Sequence, residues 1–205
     1  SCIPEFYFGL DRKGNGWQVG AGVDVLSIVP RTQNVVEEKT YKVSERVTGV
    51  SGELHAKYQN KDWFIAAKTV WGTNLAHTCM LGGYGVTAID PRTGEQDYAP
   101  YHHATAWLNV VYGKKWKPGF FVGYLKNLGA NAPIVGATYG TGLDVDQLFT
   151  TNWQLSYNLP HWRLGVEYTP SIAWFGTVDK ADGGRIRSDH HVTNHRAVVT
   201  MSYQF

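Results

Sequence analysis

Eight histidines and a scatter of carboxylates are the side chains here with the capacity for chemistry, and their spacing limits what they can do. Histidine occurs as the adjacent His102 and His103 and as the cluster His190, His191 and His195. His191 and His195 would meet on one face of a helix, but in an extended chain four residues span about 13 Å, too far to share an ion. No cysteine or acid stands at zinc-ligand spacing beside them, so these read as solvated histidines and no metal site is predicted. Asp144 with Asp146, or Asp179 with Asp182, could offer oxygens to calcium in a loop, since that ion accepts irregular ligand sets. They lack the 12-residue calcium-loop pattern, and ordinary turn aspartates are the competing reading. Gly-x-Ser-x-Gly is absent, Gly20-x-Gly22 has no third glycine at the dinucleotide position, and no Ser/His/Asp set is implied by spacing. The chain is therefore not expected to be an enzyme, and no resident cofactor is expected beyond calcium in a loop.

Composition narrows the class further. Among 205 residues are 23 glycines, 12 tyrosines and 8 tryptophans, and charged residues make up only 18%, below the roughly 25% usual for soluble domains. A net charge of +2 with scattered basic residues gives no footprint for nucleic acid. No run reaches the roughly 20 apolar residues of a membrane-spanning helix. The chain opens on Ser1, Cys2 and Ile3 with no signal peptide, so an exported protein would be a processed chain or a fragment. One domain of 205 residues is expected, without an internal boundary.

The elements that must position any site are strands. Alternation is clearest at 152–159, where Trp153, Leu155 and Tyr157 oppose Asn152, Gln154 and Ser156, and at 162–169, where Trp162, Leu164, Val166 and Tyr168 oppose Arg163, Gly165 and Glu167. The same pattern predicts strands over 4–13, 17–29, 47–58, 63–71, 104–112 and 120–126, and a closing strand over 195–205. That makes about nine. Between them, short turns such as 11–16, 60–62 and 113–118 alternate with long excursions at 31–43, 72–101, 127–146 and 176–194. Within the second excursion, 80–89 could pair locally. Trp17, Tyr58, Trp63, Tyr112, Trp116, Trp162, Tyr203 and Phe205 all fall near the short-turn end.

The closing strand, with Tyr203 and Phe205 two apart at the C-terminus, resembles the assembly signal of Gram-negative outer-membrane β-barrels. The alternation of tight turns with long loops and the aromatic girdle resemble the same family, the porins in particular. The resemblance implies an all-β fold, a transmembrane antiparallel up-and-down barrel. Residues 1–205 would form a single barrel of about 8–10 strands or the C-terminal portion of a larger one, and the odd count favours the portion. It also implies residence in the outer membrane, with membrane lipid, the barrel-assembly machinery, further copies of the chain or other membrane proteins as partners. Asp24, Glu53, His55, Lys57, Asn152, Gln154, Arg163, Glu167 and Arg196 stand opposite the apolar faces and are the candidate lumen-lining residues. In a wide barrel they would line a porin-like channel for passive diffusion of small hydrophilic solutes. In a narrow one they would fill the interior of a plugged structural or adhesive barrel that binds partners through its loops. With the first strand descending from outside, Cys2 and Cys79 would share the oxidising face, making them a candidate disulfide.

Overall fold

A computed structural model describes residues 3–205. The N-terminal half contains β1 (Phe6–Gly14), β2 (Trp17–Ile28), β3 (Gln33–Val36), β4 (Lys39–Lys42), β5 (Val47–Gln59), β6 (Trp63–Thr73), a 3-10 turn (Leu75–Thr78), β7 (Gly82–Ile89) and β8 (Gln96–Pro100). The rest contains β9 (His102–Tyr112), β10 (Trp116–Gly129), β11 (Thr138–Thr141), β12 (Val145–Asn158), β13 (Trp162–Asp179) and β14 (Arg185–Tyr203). Nine strands form one antiparallel sheet in the order β1-β2-β5-β6-β9-β10-β12-β13-β14, each beside its neighbour in the path of the chain. β1 and β14 do not pair among the described residues, so the sheet is an open part of a barrel.

Pairing assigns every residue a face, because cross-strand partners point the same way and successive residues point oppositely. Asp24 lies opposite Ser51, Lys57 opposite Ala66, Ala66 opposite Asn109, Asn109 opposite Phe121, and Phe121 opposite Asn152. Gln154 lies opposite Glu167 and Thr169 opposite Arg196. This face is the concave one: a cavity of about 720 Å³ against it is lined by Tyr7, Asp24, Glu53, Lys68, Trp107 and Thr150, which six different strands supply. The convex face carries Phe8, Leu10, Val19, Leu54, Leu164, Val166 and Val199, all exposed. Polar residues inside and bare apolar ones outside are the reverse of a water-soluble sheet.

One end of the sheet is ringed by aromatic pairs. Each strand that leaves this end starts on a tryptophan (Trp17, Trp63, Trp116, Trp162), and its neighbour returning to the end carries a tyrosine at the paired position (Tyr58, Tyr112, Tyr157, Tyr203). Ring centroids lie 4.6 Å apart in Trp63–Tyr112, 4.5 Å in Trp116–Tyr157 and 4.8 Å in Trp162–Tyr203. Such rings suit a membrane–water interface, apolar in body and polar at the tip. Phe205 packs edge-on against Tyr203 at 5.1 Å and is otherwise bare.

The opposite end holds the core. Val47, Leu75, Val86, Tyr101 and Ile134 are almost fully buried there, where the loops pack on one another. β3 and β4 form a hairpin whose Asn34 side chain donates to the Gly94 carbonyl at 3.1 Å, while Glu95 accepts from the Ser44 amide at 3.0 Å. β7 pairs with both β8 and β11, and the Arg31 guanidinium donates to the Tyr139 hydroxyl at 2.9 Å. Asp90 is held below the usual carboxylate range by the Arg92 backbone amide at 2.8 Å, and burial pushes the Tyr101 phenol up. The excursions are thus a locked cap.

All four excursions carry strand where the sequence reads as loop: β8 in 72–101, beside the local pairing expected at 80–89, β11 in 127–146, and most of the other two. The segment 31–43 makes the β3–β4 hairpin through Glu37 and Glu38, both at positive φ (47° and 67°). A two-residue turn of this kind normally advertises itself with Asn or Gly, so its sequence carries no turn signal. The segment 176–194 is not a loop either: β13 runs on to Asp179 and β14 starts at Arg185, closing through Gly183 and Gly184 at positive φ. At 18 and 19 residues these strands exceed the roughly 9–11 that span a bilayer. Their upper halves need no apolar face, which removes the alternation by which a strand is recognised.

Face assignment makes a direct prediction. Val166→Arg, on the convex face and four residues in from Trp162, should cost up to roughly 2–4 kcal/mol, and Leu164→Arg, closer to the aromatic ring, less. Gln154→Arg, on the concave face, should be tolerated. Heat-modifiable gel mobility of the refolded protein reads the difference, and equal tolerance on the two faces would contradict the assignment.

Candidate functional site: the concave face

All nine polar positions singled out in the sequence fall on the concave face, but two different environments receive them. Along β1, β2, β5 and β6 they are knitted together. Asp11 accepts from the Gln18 amide at 2.8 Å and faces His55 Nε2 at 2.9 Å, while His55 Nδ1 lies 3.5 Å from Glu53. Glu53 in turn accepts from the Tyr7 hydroxyl at 2.9 Å and pairs with Lys68. Lys57 stands outside this network, with its ammonium 5.5 Å from the centre of the Phe64 ring. Charges of both signs are mutually satisfied here, so much of their field is spent within the wall.

Glycine makes this packing feasible. A Cβ at Gly22 would lie 2.3 Å from the Tyr7 hydroxyl, and one at Gly20 would lie 2.5 Å from the His55 ring. The missing side chains leave hollows in which neighbouring rings lie flat along the wall.

Across the sheet the picture changes. Asn152 donates to the Thr169 hydroxyl at 2.6 Å, and the Thr150 and Ser171 hydroxyls are 2.7 Å apart. Arg163, Glu167 and Arg196 make no ion pair among the described residues. Their charge is directed at whatever fills the concavity.

The sequence-derived ligand candidates are scattered. His102 and His103 begin β9, where His103 is buried, and the other three lie along β14, each against an aromatic partner: His190 on Phe175, His191 on Trp174 and His195 on Tyr168. Asp146 is taken by Lys126 and Ser188, both at 2.6 Å, and Asp179 by Arg187 at 2.5 Å. Asp182 lies 3.6 Å from Arg185. Cys79 is exposed at the end of the 3-10 turn, at the capped end of the sheet, and forms no disulfide among the described residues; Cys2, its candidate partner, lies outside them.

One grouping escaped sequence reasoning. Glu5, Asp24 and His77 place one ligand atom each within 4.8 Å of the others. They are distant in sequence and meet only because the 3-10 turn folds against the β1–β2 wall, so no spacing motif announces them.

Neither a family model nor a curated protein matches the chain. Solved structures do. The outer membrane channel DcaP of Acinetobacter baumannii aligns over 99% of this chain and 52% of its own, with a TM-score of 0.60 and 12% identity. Outer-membrane expressed OmpT of Vibrio cholerae aligns over 98% of this chain and 56% of its own, with a TM-score of 0.53 and 14% identity. A trimer form of in-vitro folded OmpT aligns with a TM-score of 0.50 and 14% identity. This chain spans about half the length of these proteins. Its nine-stranded meander has the fold of the outer-membrane β-barrels, and its convex face carries a bare apolar belt as theirs must.

Proposed function

We propose that the chain forms part of an outer-membrane channel through which small hydrophilic solutes diffuse passively. The observation that carries this reading is the concave face itself: Tyr7, Asp24, Glu53, Lys68, Thr105 and Thr150 line one cavity from six strands, interspersed with Trp107 and Phe121, and Arg163, Glu167 and Arg196 on the same face make no ion pair among the described residues. A plugged adhesive barrel would need closure at eight to ten strands, with the interior filled by side chains. Here β1 and β14 do not pair, and a backbone edge left bare in hydrocarbon is too costly to persist. Additional strands therefore complete the barrel, which at about 16 strands holds an aqueous bore. The likeness to an outer membrane channel supports the same reading. Lipid surrounds the convex face in this proposal, the barrel-assembly machinery reads the Tyr203–Phe205 terminus, and association into trimers is one way several such barrels would sit together.

Two measurements test it. Intact mass of the polypeptide isolated from outer membranes should exceed 22.9 kDa well beyond any modification; a mass of that value together with a monomeric barrel would remove the wide-bore reading. In planar bilayers the full-length protein should give ohmic single-channel steps. Arg163→Glu combined with Arg196→Glu should shift the cation/anion permeability ratio several-fold toward cations, because fixed charges on a narrow aqueous path set ion preference. Unchanged selectivity would take both arginines out of the conduction path.

A further inference from the structure

We propose that Glu5, Asp24 and His77 form a binding site for a divalent transition metal of the zinc class, which fastens the 3-10 turn Leu75–Thr78 to the β1–β2 wall. His77 Nε2 lies 3.2 Å from Glu5 Oε1 and 3.6 Å from Asp24 Oδ2. Bonds of about 2.0–2.1 Å to a tetrahedral ion put neighbouring ligand atoms about 3.3 Å apart. The two distances from Nε2 are therefore close to the edge of a zinc tetrahedron before any metal is placed, and the two carboxylate oxygens lie within 4.8 Å of each other. Three protein ligands leave a fourth position, and since Glu5 and Asp24 both line the large cavity, that position opens onto it.

The orientation of the imidazole is an independent observation with the same meaning. His77 Nδ1 lies 3.1 Å from the backbone carbonyl of Asn74, an acceptor that holds the ring proton on Nδ1. Nε2 then presents a lone pair to two carboxylate oxygens. A protonated imidazole or a shared carboxyl proton can hold such a trio at low pH, whereas with the ring neutral a metal cation satisfies all three lone pairs at once, and the pairing of a ligating imidazole with a backbone carbonyl is the usual outer-shell arrangement of metal-bound histidine. Among the described residues neither carboxylate has a lysine or arginine partner.

The backbone holds this geometry. Asn74 (φ 53°) and Cys79 (φ 61°) bracket the turn in left-handed conformations that cost non-glycine residues energy. Asn74 is buried and its amide donates to the Tyr101 carbonyl at 3.0 Å, while the Thr78 hydroxyl donates to the Leu75 carbonyl at 2.8 Å. His77 is thus presented by a rigid turn, β2 supplies Asp24 from the wall, and Glu5 comes from the residue just ahead of β1. A bound ion would bridge loop and wall with bonds stronger than any ion pair between them.

The experiment is zinc titration of the full-length refolded protein in detergent micelles, by calorimetry and by competition with a chromophoric chelator, with calcium in parallel. One zinc per chain is expected, with calcium binding far weaker because imidazole is a poor ligand for it. His77→Ala and Asp24→Asn should each weaken zinc at least as much as the roughly 10–100-fold that loss of an outer-shell partner costs, while His190→Ala leaves it unchanged. Heat-modifiable mobility verifies folding, and Asp24→Asn, which keeps the side-chain shape, decides if His77→Ala does not fold. No saturable zinc binding, or equal binding by folded Asp24→Asn, would overturn the site. These readouts do not depend on conduction, so their failure leaves the channel reading standing, and loss of conduction would not touch them.

Discussion

Inside hydrocarbon there is no water to accept or donate a hydrogen bond, and every peptide group of a crossing strand must find its partner on a neighbouring strand. That single requirement explains the order of the sheet. Each of the nine strands lies beside the one before it and the one after it in the path of the chain, because a meander pairs strands as they come and leaves no peptide group waiting for a distant partner. It also explains where irregular structure is found. The 3-10 turn, the small sheet of β7, β8 and β11 and the β3–β4 hairpin all sit at one end, where water or neighbouring loops satisfy what the main sheet does not.

A second consequence concerns the core. A soluble sheet buries its apolar face against another layer, but here lipid takes that role, so leucines and valines stay bare along the convex face. The most deeply buried apolar residues, Val47, Leu75 and Val86, lie in the cap, where loops face water and must form a core of their own. The chain has two hydrophobic strategies, divided at a plane across its strands.

That division also governs what was legible beforehand. Between lipid and lumen the alternation of side chains is enforced on both faces, and the nine strands, their order and the aromatic ends could be read from residues such as Trp153, Leu155, Leu164 and Val166. Above the plane the constraint lapses. The extension of β13 past Phe175 and of β14 ahead of His195 was hidden because both faces there meet water, and the β3–β4 hairpin was hidden because Glu37 and Glu38 occupy conformations that glutamate seldom adopts. Polar positions on the concave face were recoverable by parity alone, but their pairing was not. Which charges cancel, as Glu53 and Lys68 do, depends on which strands stand side by side. Glu5, Asp24 and His77 were the hardest case, since the third residue arrives on a loop whose fold has no periodic signature.

The hollows at Gly20 and Gly22 bear on the calibre of the protein. In a barrel the radius of the backbone cylinder is set by strand number and stagger, yet the free cross-section is what side chains leave over. Letting Tyr7 and His55 recline into a neighbouring strand's vacancies keeps that wall thin while retaining aromatic and ionisable groups on it. Alanine in place of either glycine would push a ring upright, toward the axis. The width available to a solute could thus evolve through exchanges of glycine for small residues, with the strands, the girdle and the charge pattern all held constant.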